Sequence, residues 1–136
     1  MTQENKDLLL GDLCARLPYK VKVQDTYYKS LEPNPIWLLD LHAQKVRLFA
    51  DEGYQSIEYI KPYLFPLSSM TEEQKNDCPI NETNLNIIKS NIGYGIIEMH
   101  WRLSYLFVDW CNKNHFDYRG LIPMGLALDA TGKNIY

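Results

Sequence analysis

Leu9, Leu10, Leu13, Cys14 and Leu17 recur at helical steps and fall on one arc of a wheel, with Asp12, Arg16 and Ala15 opposite. This pattern predicts an amphipathic helix over about 4–17, which Pro18 ends. The period then shortens. Val21 and Val23 alternate with Lys20, Lys22 and Gln24, the mark of a half-buried strand running on toward Tyr27, and Glu32-Pro33-Asn34-Pro35 breaks it. Residues 36–41 are short, aromatic and bounded by prolines, and they read as a strand buried on both faces. Residues 46–49 read as its hairpin partner, and Asp51-Glu52-Gly53 as a turn into 57–60, whose type is ambiguous. Strands spanning about 20–60 in close succession favour an antiparallel meander.

Pro62 and Pro66 hold the proline-rich segment 61–68 extended. Ser69-x-x-Glu72 and Thr71-x-x-Gln74 are overlapping capping boxes, which predict a short helix over about 71–77 that stops before Pro79. The asparagine-rich stretch at about 80–95 reads as a variable loop. A long core helix is expected over about 97–114. Met99, Leu103, Leu106, Phe107 and Trp110 make one face of it and Trp101, Tyr105 and Val108 the other, with Arg102, Asp109 and Lys113 as the polar stripe. A helix apolar on two sides is usually central, with sheet on one side and another helix or a second subunit on the other. The remainder, 115–136, opens with the turn-rich HFDYRG. These elements predict a single α+β domain over 1–136, a small antiparallel sheet packed against N-terminal and C-terminal helices.

Composition narrows the classes. The 136 residues are 46% hydrophobic and 23% charged, which matches an ordinary globular domain and excludes a disordered or low-complexity chain. A net charge of −3 leaves little positive field for phosphates and disfavours nucleic acid, although Lys20, Lys22 and Lys29 on one strand keep that reading in play as a third hypothesis. MTQENKDLLLGDL lacks the apolar core of a signal peptide, and no apolar run approaches a membrane span, so a cytoplasmic protein with no membrane partner is expected. Cys14, Cys78 and Cys111 are odd in number and widely spaced, as in reduced thiols, which makes the Asn81-Glu82-Thr83 sequon incidental.

Candidate chemistry is sparse. Cys111 and His115, four apart on the expected helix, share a face and form half of a zinc site, but His100, His42 or Cys78 would have to arrive from elsewhere. The same cysteine with His115 or His100 as base is a conceivable thiol nucleophile, yet no oxyanion hole or orienting group accompanies it. A cysteine at the edge of an apolar helix is more often a small buried hydrophobe, and Glu98, His100 and Asp117 suit surface or capping roles. No catalytic or metal residue is therefore assigned and no cofactor is called for. Ten tyrosines and three tryptophans suit either a small core or a contact surface. Tyr27, Tyr28, Tyr59 and Tyr63 would line a groove on the sheet.

Three segments carry a resemblance. ARLPY at 15–19, KPYLFPLSSMTEE at 61–73 and HFDYRGLIPMGLALDA at 115–130 together resemble a family of small uncharacterised proteins of human gut anaerobic bacteria and their prophages. The resemblance implies a bacterial or phage setting and brings no activity with it. It marks the proline-rich segment and HFDYRG as fixed elements of that family. The leading expectation is a non-catalytic interaction or accessory factor of phage or mobile-element origin. Its partner is a protein, a second copy of the chain included, and Trp101, Tyr105, Tyr63, Tyr59, Tyr118 and Arg119 are the candidate contacts. The alternative is a small metal- or thiol-dependent enzyme using Cys111, His115 and His100.

Overall fold

Thr2 starts the first helix, its side-chain oxygen accepting from the Asn5 amide at 3.2 Å, and helix α1 runs over Gln3–Arg16. Pro18 ends it as expected, through one 3₁₀ turn at Leu17–Tyr19 and a left-handed Lys20. The computed structural model describes residues 1–28, 32–49, 53–80 and 94–136, and over 94–103 the backbone alone. The turn residues Asp51 and Glu52, Lys29, the Asn81 sequon and the loop at 81–93 lie outside the described residues.

The sheet has six strands, β1 Lys22–Asp25, β2 Asn34–Asp40, β3 Lys45–Leu48, β4 Tyr54–Ser56, β5 Ile60–Leu64 and β6 Leu128–Asp129. Their order is β4-β3-β2-β1-β5-β6. The first four form the expected antiparallel meander. Strand β5 then returns to the other side of β1, and β6 joins it in parallel, Tyr63 opposite Leu128. The proline-held segment is thus part of the sheet. Pro62 stands opposite Val23, one residue before the stretch that β6 covers, so no β6 partner needs the amide hydrogen it lacks. Residues 57–59, ambiguous in sequence, form a single 3₁₀ turn.

The main core lies between α1 and one face of the sheet. Leu9, Leu10 and Leu13 meet Val21 and Val23 beside them, Val46 and Leu48 of β3, and Ile60 and Leu64 of β5. Leu121, Leu126 and Ala127 close its end. Asp12 and Arg16, placed by the wheel on the polar arc, are instead fully buried. Strand β2 also differs from expectation. It is not buried on both faces, and a register shift between Ile36 and Leu38 places two successive residues, Trp37 and Leu38, outward at 59% and 45% exposure.

Helix α2, Glu72–Asp77, has the complete Thr71/Gln74 capping box. Ser69 is not its cap; it closes the preceding 3₁₀ turn, donating to the Pro66 carbonyl at 2.7 Å. Helix α3 spans Tyr94–Lys113. Its last turns bury Trp110 and Cys111 in a smaller core with Phe116 and Cys78, and Phe65, Met70 and Phe107 pack at its edge. The Trp110 indole donates to Asp77 at 2.9 Å, tying α3 to α2. The two-sided burial expected of this helix does not hold over its described side chains. Tyr105 and Leu106, assigned to opposite faces, are both exposed. Met99, His100, Trp101 and Leu103 lie outside the described side chains.

Candidate interaction surface

The HFDYRG turn is built on buried charge. Arg16 donates to both carboxylate oxygens of Asp12, from Nε at 2.8 Å and Nη2 at 3.1 Å. It also donates to two carbonyls at and just beyond the end of α3, Cys111 at 3.3 Å and Phe116 at 2.8 Å, each of which accepts a backbone amide as well. Arg119 reaches the same carboxylate at 3.3 Å, and the guanidinium carbons of Arg16 and Arg119 lie 5.5 and 5.1 Å from the Tyr118 ring centroid. Asp117 accepts the amides of Leu121 and Ile122, one on each oxygen, both at 2.8 Å. Backbone bonds on either side, Phe65 to the His115 carbonyl and Asp117 to the Phe65 carbonyl, pin the turn to the end of β5. Tyr118 and Arg119, offered by the sequence as contacts, are thus also parts of this internal network.

The helix ends at Lys113, and His115 leaves it with φ at +60°. Cys111 and His115 therefore do not share a helical face. The Cys111 thiol points into the small core, where burial first and the neighbouring Cys78 second push it up to about 12. The His115 ring stacks on Tyr136 with centroids 3.7 Å apart. Burial, then the positive charges of Arg16 and Lys22, hold its imidazole down to about 4. Its Nδ1 is buried without a hydrogen-bond partner among the described residues. Among these residues no three His, Cys, Asp or Glu side chains are grouped to hold a metal ion. No helix among them is long and apolar enough to cross a membrane.

The aromatic residues divide into separate groups. Tyr27, Tyr28 and Tyr59 do meet, with Tyr27 centroids 5.0 and 5.1 Å from the other two, at the end of β1 where Asp25 accepts the Tyr27 and Tyr28 amides. Tyr63 is not with them; it is buried under Ala130 and Ile135. Tyr105 stands in the open at 73% exposure, near the end of α3 where Asp109 accepts the Tyr19 hydroxyl. Lys22 is not a solvated strand lysine, since its ammonium donates to the Ile135 carbonyl at 2.6 Å and lies over the Tyr136 ring.

The face of the sheet turned away from α1 is half covered. Ile135 and Tyr136 lie over β5 and β1, the Tyr136 hydroxyl donating to the Tyr63 carbonyl at 2.7 Å. Over β2, β3 and β4 no described segment covers the same face. Leu38 pairs with Arg47, and Arg47 with Tyr54, so the three side chains form one outward row across three strands. Beside that row Trp37 packs edge-on against Phe49, centroids 4.9 Å apart, over a cleft of about 300 Å³ lined by Trp37, Arg47, Leu48 and Phe49. Phe49 is 65% exposed and Tyr54 47%. The sequence does carry a trace of this surface. Lys45 and Arg47 alternate with the buried Val46 and Leu48, which puts Phe49 on the outward parity. The chain matches no family model, no curated protein and no solved structure.

Proposed function

We propose that the chain is a non-catalytic protein-interaction module that makes contact through the open half of its outer sheet face. One observation carries this reading: the Leu38–Arg47–Tyr54 row and the Trp37–Phe49 pair form a contiguous, aromatic-rich patch on the outer face of three paired strands. Monomeric proteins rarely leave such a patch uncovered, and tryptophan, tyrosine and arginine dominate contact energies. A thiol pushed up to about 12 and an imidazole held down to about 4, placed apart by the end of α3, argue against a cysteine nucleophile at neutral pH. A bacterial or phage setting is the one the resemblance of the three sequence segments implies, and three free cysteines suit the cytoplasm.

The test is affinity capture from a bacterial lysate with the full chain and with its Trp37→Ser/Phe49→Ser variant. Proteins retained by the wild type are expected to be lost by the variant at unchanged melting temperature. An identical set captured by both would overturn the reading.

A further inference from the structure

We propose that the occupant of the open sheet face is an acidic, apolar segment of another protein, its carboxylates on Lys45 and Arg47 and an apolar side chain in the Trp37–Phe49 cleft. This rests on the interaction reading above and adds the chemistry of the partner. Charge complementarity is the first argument. The chain as a whole is at −3, yet β3 directs both Lys45 and Arg47 outward, and neither has an ion pair with a described residue. Asp40, across from Lys45, has one carboxylate oxygen engaged by the Ala43 amide. A cation amid apolar side chains is matched by a carboxylate that arrives with apolar neighbours.

The second argument is the way the same face is covered next door. Over β1 and β5 the chain uses its own segment, Ile135 against Tyr63 with the Ile135 carbonyl on the Lys22 ammonium. An apolar side chain and an oxygen acceptor together satisfy one outward lysine. The open half presents the same demand, with two cations and the Trp37–Phe49 cleft.

The experiment is selection of a random dodecapeptide library on the immobilised full chain, followed by titration of the winners. Selected peptides are expected to interleave Asp or Glu with Leu, Ile or Phe, and to weaken about tenfold on Arg47→Gln and on Lys45→Gln. Binding should also fall as salt rises from 50 to 500 mM. Lys45 is exposed, so its variant tests the charge without touching the core. Peptides without carboxylates, binding as tight to both glutamine variants as to the wild type, or no enrichment would overturn the proposal. Sedimentation of the free chain supplies the remaining arm. A dimer dissolved by Trp37→Ser/Phe49→Ser but indifferent to Arg47→Gln would make the occupant a second copy and overturn the acidic segment. If the tryptophan–phenylalanine variant loses its captured proteins while acidic peptides are not selected, the surface stands and only the partner chemistry fails.

Discussion

Removing the Arg16 side chain leaves the buried Asp12 carboxylate with Arg119 as its remaining cation and takes one of two donors from each of the Cys111 and Phe116 carbonyls. Arg16→Met is therefore expected to cost about 3–5 kcal/mol in urea unfolding, as breaking a buried pair from one side usually does. The double replacement Asp12→Leu/Arg16→Met separates two causes. A bare buried ion pair can be exchanged for apolar residues at little cost, but here the Cys111 and Phe116 carbonyls would each keep only a backbone amide and Arg119 would lose its carboxylate, so the double variant should stay below wild type. Recovery to wild-type stability would show that those two bonds contribute nothing. His115 gives a pH signature. Its folded value is depressed to about 4 against the ordinary 6.5, so the unfolded chain takes up the proton first. Stability from this group is complete above pH 6.5 and is lost as pH falls through 4. His115→Gln, still facing Arg16, Lys22 and Tyr136, should flatten the stability profile between those limits. An unchanged slope in chemical denaturation at pH 4.5, 5.5 and 6.5 would assign the acid sensitivity elsewhere.

At the scale of elements, helix α2 isolates a local effect. Thr71→Ala should lower stability by about 0.5–2 kcal/mol because it removes the acceptor for the Gln74 amide. Ser69→Ala, which leaves that box intact, should cost less, and thermal melts of the two variants decide the order. The capping box was legible because it is written in four consecutive residues. So were the Leu9, Leu10 and Leu13 stripe of α1 and the alternation of β1. What misled was chemistry completed across the chain. Asp12 and Arg16 sit on the polar arc of a wheel, yet the acceptors that make their burial tolerable are 95 and 100 residues away. A one-residue register shift in β2 likewise put Leu38 outward beside Trp37, and nothing in the composition of 36–41 signals a bulge. The zinc-like spacing of Cys111 and His115 assumed two more residues of helix than α3 provides.

For the whole molecule, the open sheet face and the buried core respond to substitution in opposite ways. Leu13→Ala, at the centre of the α1 contact, is expected to cost about 2–5 kcal/mol. Trp37→Ser/Phe49→Ser, which removes more apolar surface, should shift stability by far less because both rings already face water in the isolated chain. Differential scanning calorimetry of the two variants checks this contrast. A large loss from the surface pair would mean that it belongs to the core.

The parallel pair β5–β6 also dictates a schedule. Residues near 64 find their strand partner near 129, and the lid of the main core comes from 121–127. A ribosome adding roughly 5–20 residues per second must therefore carry the nascent chain past residues 121–129 before the hydrophobic side of the meander can close. During that interval α1 and the first strands emerge with Leu9, Leu13, Val46 and Leu48 unsheltered. Translation arrested before residue 120 should leave them open to proteases and chaperones, and arrest after residue 130, with enough following linker to clear the tunnel, should not.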